Sequence, residues 1–245
     1  MMPGAKRTAP DEGDLRRDLR GLQSSIVEMG GFAERLVLES LTALTHADGD
    51  LAQIVIADDA RLDQMRRDLE YAAISMIARH QPTGKDLREI VAAIRISGDL
   101  ERVGDLAKNT AKRVLAMETR FHSQRLFIGV EHMSEIALEQ LKTVLDAFTF
   151  QDLSSAHDVR NRDGEVDSIY TSLFRELLTY MMEDPRNITM CTHLLFCAKN
   201  IERIGDHATN IAEDIHFLVT GEQLGEDRPK RDTTSFLPDG FERAG

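Results

Sequence analysis

Two short stretches place carboxylates where they act together on a helix: Glu101-Arg102-Val103-Gly104-Asp105 and Glu202-Arg203-Ile204-Gly205-Asp206. Residues four apart on an α-helix share a face, so Glu101 stacks on Asp105 and Glu202 on Asp206. Like charges at that spacing cost a few tenths of a kcal/mol, and a helix-interior glycine costs about 1 kcal/mol against alanine. The chain carries both penalties twice, and the simplest offset is a bound cation. Two upstream pairs, Asp59/Asp63 and Asp163/Asp167, repeat the four-residue spacing. Hard oxygen donors without nearby thiols favour magnesium, calcium, manganese or ferric iron over zinc or copper. The expected ligand sets are Asp59, Asp63, Glu101 and Asp105 in one cluster, and Asp163, Asp167, Glu202 and Asp206 in the other. Iron, magnesium, manganese and zinc all remain open as the ion. His207 follows Asp206 but points ~100° away on a helix, so it is not counted as a ligand. The bland alternatives are a solvated acidic face, or carboxylates that only pair with Arg102 and Arg203. Recurrence in register, with Asn109 and Asn210 at matching distances, favours a site.

The elements that must position these groups read as long helices. Apolar spacing predicts helices near 14–47, with Asp14 as its N-cap, then 51–79 and 85–119. The pattern then restarts, near 123–149, 152–182 and 187–219. Shifted by 104 residues, Met29 meets Met133, Asp59 meets Asp163 and Asp63 meets Asp167; after the second helix Glu101 meets Glu202. Short connections force sequential helices side by side, so the expected fold is all-α: two tandem antiparallel three-helix bundles, residues 14–119 and 122–220. Residues 1–13 and 222–245 read as disordered tails. Asp63 lies as far before Pro82 as Glu101 lies after it, and Asp167, Pro185 and Glu202 are spaced in nearly the same way. Equal travel along antiparallel helices brings each upstream aspartate level with its Glu-x-x-x-Asp pair. On a helical wheel Ile96, Leu100, Val103, Ala107 and Val114 form a core stripe, and Arg88, Arg95, Arg102 and Arg113 a stripe predicted to face solvent.

Composition removes several function classes. A net charge of -12 argues against nucleic acid and against docking on an anionic bilayer. No apolar run approaches the ~20 residues of a membrane span. Cys191 and Cys197 make no zinc spacing or disulfide framework and read as core residues in a reduced cytoplasmic setting. No phosphate-cradling loop, nucleophile elbow or HExxH is present, so the chain is expected not to be an enzyme.

Leu100-Glu101-Arg102-Val103-Gly104-Asp105 and Ile201-Glu202-Arg203-Ile204-Gly205-Asp206-His207-Ala208-Thr209-Asn210-Ile211-Ala212 resemble the paired signatures of the PhoU family of phosphate-transport regulators. Leu178-Thr179-Tyr180-Met181-Met182-Glu183-Asp184-Pro185 is similar to that family too, and the resemblance spans residues 14–220. It implies two three-helix bundles, metal clusters on the acidic motifs in some members, and a homodimer. It also implies a cytoplasmic negative regulator of phosphate uptake and the phosphate-starvation response. Such a protein reaches the membrane only through partners, as an adaptor between the ATPase subunit of a phosphate ABC transporter and a sensor histidine kinase. Leu106, where the second copy has His207, departs from the pattern. Two alternatives differ in class: a metal-free helical scaffold, and a carboxylate-bridged di-iron protein. The second lacks the Glu-x-x-His pairs of that class in either motif.

Overall fold

The computed structural model describes residues 12–117 and 125–224. They form α1 (Glu12–His46), α2 (Gly49–His80), α3 (Gly84–Ala116), α4 (Arg125–Phe150), α5 (Leu153–Asn161), α6 (Asp163–Glu183) and α7 (Ile188–Thr220), with a 3-10 turn at Pro185–Asn187. α1, α2 and α3 make one antiparallel three-helix bundle. α4, the pair α5 and α6, and α7 make the second. The tandem all-α architecture expected from the sequence is the one that forms.

Equivalent turns show how closely the repeats follow one plan. Ala47 and Gln151 both take a left-handed conformation, with φ 51° in each. Each is followed by an aspartate whose N–H reaches back to an alanine carbonyl, Asp48 to Ala43 and Asp152 to Ala147, both at 2.9 Å. That bond satisfies a carbonyl the helix end leaves open. The same aspartates then cap the next helix, accepting from Leu51 N and from Ser154 N at 2.9 Å.

Three expectations change. α1 starts at Glu12, so Asp14 does not cap it; Asp14 lies in the first turn, 2.7 Å from Arg17. The stretch 152–182 is not one helix but breaks at Arg162 (φ -91°, ψ 3°). There the buried Gln140 side chain donates to the Arg162 carbonyl at 3.1 Å, and Arg162 pairs with Glu139 and Glu165. In the first repeat Leu36 stands where Gln140 does, offers no such donor, and α2 runs unbroken. Third, the arginine stripe of α3 does not simply face solvent but borders α7. The tails expected at 1–13 and 222–245 fall largely outside the described residues, as does the linker between the repeats.

The repeats join through two like-with-like, antiparallel seams. Along α3 and α7, Arg95 meets Asp214 at 3.2 Å, Asp99 meets His207 at 2.7 Å, and Asn200 meets Thr110 at 3.2 Å. Along α1 and α4, Gln23 donates to the Thr149 carbonyl at 2.9 Å and Gly30 faces Leu145. Pairing of equivalent helices relates the repeats by an approximate twofold axis. Ile96, Leu100, Val103 and Ala107 of α3, and Ile201, Ile204, Ala208 and Ala212 of α7, are buried, so the acidic motifs ride on the two central helices.

Candidate functional site

In the first cluster α2 and α3 bring Asp59, Asp63, Glu101 and Asp105 to one edge of the bundle. Lys108 Nζ lies between Asp59 Oδ2 and Asp105 Oδ1, 2.6 Å from each. Burial pulls the Lys108 ammonium down, but hydrogen bonds to Asp105 and Asp59 hold its pKa above the usual lysine range. Glu101 lies 3.6 Å from Arg66 and 3.5 Å from Arg102, and Arg102 also reaches Asp105 at 3.3 Å. Burial pushes the Glu101 carboxyl up; Asp105 and Asp63 add to that, while Arg102 and Arg66 oppose it. Asp63 therefore sits near enough to Glu101 to bias its charge, as equal travel along α2 and α3 requires. Gly104 lets α2 come close, since a Cβ there would collide with Leu62.

The second cluster keeps the frame and changes the charges. Asp163 and Asp167 of α6 are each 5% exposed, and Glu202 of α7 is 6% exposed. At the position equivalent to Lys108 stands Thr209, whose hydroxyl donates to Asp163 Oδ1 at 2.8 Å. A neutral hydroxyl thus replaces the ammonium. Lys199 bonds Glu202 Oε1 at 2.9 Å, while Glu202 Oε2 is buried with no hydrogen-bond partner among the described residues. Burial is the main force raising the Glu202 pKa, reinforced by Asp206 and Asp167 and opposed by Lys199. Gly205 again marks the close approach, with Gln140 and Val166 where the first repeat has Leu36 and Leu62.

Among the described residues, no three His, Cys, Asp and Glu side chains converge into a ready-made metal shell. The fit of a cation therefore rests on the donors themselves. The second cluster offers hard oxygens, a buried Glu202 oxygen without a hydrogen-bond partner among the described residues, and mutual repulsion that a cation would relieve, with Lys199 already paired to the other Glu202 oxygen. In the first, Glu101 Oε2 is likewise buried without a hydrogen-bond partner among the described residues, but the Lys108 ammonium already stands between Asp59 and Asp105. The motif carboxylates alone do not point to Lys108 and Lys199, although each lies three residues from one of them and so on its face.

The seam recruits further groups that motif spacing does not single out. Asp99 Oδ1 meets His207 Nδ1 at 2.7 Å and accepts from Asn210 Nδ2 at 3.1 Å. His207 thus points to the other repeat and not into a carboxylate cluster. Beside it, burial holds the Asp214 carboxyl up at about 6, against the pull of Arg95. Arg95, Asp99, Asn210 and Asp214 line a cleft of about 460 Å³ together with Arg66, Gly98, Glu101, Arg102 and Glu213.

Two duplicated three-helix bundles, joined along their central helices and each carrying a Glu-x-x-x-Asp cluster, define a class of tandem-repeat helical proteins. A sequence model described as "PhoU domain" matches residues 26–114 and again residues 130–215, and the chain belongs to the PhoU family. It is 58% identical over 220 residues to a Rhizobium meliloti (strain 1021) protein called "Phosphate-specific transport system accessory protein PhoU homolog", covering 90% of this chain and 93% of that one. A Caulobacter vibrioides protein of the same description is 51% identical, covering 89% and 95%. The crystal structure of PhoU from Pseudomonas aeruginosa superimposes with a TM-score of 0.81 at 37% identity, over 84% of this chain and 99% of that one.

Proposed function

We propose that this chain is the accessory protein of a phosphate-specific transport system, acting as a negative regulator and not as an enzyme. The observation that carries the reading is the full-length likeness, both repeats included, to proteins given that description. In this reading the two bundles form an adaptor between the ATPase subunit of a phosphate ABC transporter and its sensor histidine kinase. It works in the cytoplasm, as a homodimer. No described helix is long and apolar enough to cross a membrane, which suits a protein held there by partners. Deletion of the gene should derepress phosphate-starvation promoters at high phosphate and cause excess uptake. Unchanged reporter expression in the deletion strain would refute the regulatory role.

The carboxylate clusters are read as cation sites of unequal strength. Glu202, Asp206 and Asp167, with Asp163 behind them, would hold a magnesium, manganese, zinc or iron ion in the second. The ion would supply positive charge that locks α6 to α7. In the first, Asp59, Asp63, Glu101 and Asp105 take a cation only if Lys108 swings away. The Lys108 bridge favours a second reading, a metal-free scaffold in which lysine and arginine do the neutralising. Elemental analysis of protein purified without chelator separates the two.

A further inference from the structure

The twofold relation between the repeats makes a second seam cleft where α7 crosses the end of α3. It measures about 450 Å³ and is lined by Asn109, Lys112, Arg113, Ala116, Phe196 and Asn200. Five of its six residues answer to residues lining the first seam cleft. Asn109 answers to Asn210, Lys112 to Glu213, Arg113 to Asp214, Asn200 to Asp99, and Phe196 to Arg95. The volumes are close, at about 450 against 460 Å³, and at the four charge-bearing positions the two linings share the charge has changed sign or been neutralised; Arg66, Glu101 and Arg102 line the first cleft alone.

The result is a concave surface with no carboxylate among the described residues that line it, on a chain of net charge -12. No described carboxylate makes an ion pair with Lys112 or Arg113. Basic residues in a last helical turn also favour the helix macrodipole, and that alone would account for one such residue. It does not account for the rest. The Arg113 guanidinium is laid over the Phe196 ring at 4.1 Å, across the seam, with its edge left to donate. Asn200 Nδ2 is held by Thr110 Oγ1 at 3.2 Å, which fixes that amide at the wall. The positive field reaches the neighbours: burial and then Arg113 push the His193 pKa down, and His193 Nδ1 is buried without a hydrogen-bond partner among the described residues.

We propose that this cleft binds a small multivalent oxyanion of the phosphoryl class. A planar guanidinium, an ammonium and two carboxamides match a group with several acceptor oxygens better than a single carboxylate. The volume falls in the range of small-molecule sites and exceeds what orthophosphate alone would fill, so di- and triphosphate groups fit as well. A bound anion would contact α3 of one repeat and α7 of the other. The inference stands on the charge and shape of the cleft and not on the transport reading.

The test is isothermal titration of the full chain with orthophosphate, pyrophosphate and ATP at constant ionic strength, without added metal. Saturable binding is expected, weakened roughly tenfold by Lys112→Ala and abolished by the double swap Lys112→Glu/Arg113→Asp, which installs the acidic counterpart. Lys142→Ala, an exposed lysine on α4, should leave it unchanged. Tightest binding of orthophosphate identifies the free ion as the source, and tighter pyrophosphate or ATP identifies the phosphoryl chain of a larger ligand. Should the double swap fail to fold by circular dichroism, Lys112→Ala and Asn200→Asp carry the test, since each changes a single side chain of the lining. Absence of saturable binding with all three probes overturns the proposal. So does equal affinity in wild type, Lys112→Ala and Asn200→Asp, because binding would then owe nothing to this cleft.

Discussion

Lys108 and Thr209 occupy the same position of two copies of one bundle and treat their carboxylates differently. Lys108 sets an ammonium between Asp59 and Asp105, whereas Thr209 gives Asp163 one neutral hydrogen bond. The helices, turns and glycine contacts around them follow one plan, so the backbone frame does not dictate the electrostatics. Duplication preserved the backbone frame, and substitutions at neighbouring positions, Lys108 against Thr209 and Gly98 against Lys199, changed what neutralises the carboxylates. The same division recurs at the seam, where one cleft mixes four carboxylates with three arginines and its counterpart, among the described residues, carries only basic charge. A repeat protein can thus hold two unlike sites on one scaffold.

The largest expected effect comes from making the clusters alike. Lys108→Thr leaves Asp59 buried opposite Asp105 without its ammonium. Breaking a fully buried pair costs about 3–5 kcal/mol; Asp105 keeps solvent contact, so about 2–3 kcal/mol is expected here. Thr209→Ala, which removes one hydrogen bond to a buried carboxylate, should cost about 1.5 kcal/mol. Chemical denaturation of both variants checks the order. With manganese or magnesium present, the Lys108→Thr loss should shrink, because the cluster has then become a cation site of the second type.

The next effect concerns the second cluster itself. A cation at a hundredfold excess over its Kd stabilises by about 2.7 kcal/mol, whereas relief of like-charge repulsion is worth only a few tenths. Glu202→Ala/Asp206→Ala should therefore melt below wild type with metal, and level with or above it in strong chelator. A double mutant that melts higher in both conditions would leave only the scaffold reading.

The seam clefts differ in their response to pH. Asp214 has a folded pKa of about 6, raised by burial from the ordinary 3.8. Between these values the folded state holds a proton that the unfolded state has lost. Stability from this group is thus greatest near pH 4 and falls as pH rises towards 6, by about 2 kcal/mol, the slope never exceeding ~1.4 kcal/mol per pH unit. Asp214→Asn should flatten that slope in urea titrations from about pH 4 to about pH 7. Beside the counterpart cleft the sign is opposite: burial and then Arg113 hold the His193 pKa below its usual value. The unfolded state therefore binds that proton more readily, and Arg113→Gln should weaken the gain in stability that His193 contributes as pH rises.

The duplication and most helix boundaries within a few residues were legible because each leaves a periodic or repeated mark. What the sequence hid was relational. The wheel placed Arg95 and Arg113 on one stripe but could not show that α7 lies beside it, so a seam read as solvent. The break at Arg162 depends on Gln140, twenty-two residues away, reaching one carbonyl. Lys108 was visible on the motif face, yet a lysine among acids reads as surface until its burial is known. Its bond to Asp59 joins two helices and has no local signature.

The smallest effect tests how far the two frames really match. Gly104 and Gly205 are equivalent, and replacing a helix-interior glycine by alanine gains up to about 1 kcal/mol of helix propensity where space allows. At 205 an added Cβ would meet Gln140 Oε1 at 3.4 Å and Val166 at 3.6 Å, ordinary contact distances. Gly205→Ala should therefore raise the melting temperature slightly. At 104 the Cβ would run into Leu62, which is fully buried and also packed near Leu36. Overpacking of that kind costs about 1–3 kcal/mol, which cancels or exceeds the propensity gain. Gly104→Ala should therefore lower the melting temperature, and Gly104→Ala/Leu62→Val, which trims the obstructing side chain to the residue type found at 166, should recover most of the loss. Thermal melts of the three variants in chelator keep cation effects out of the comparison. If both single variants shift in the same direction, the second bundle is as tightly closed as the first, and the difference between the repeats lies in charge alone.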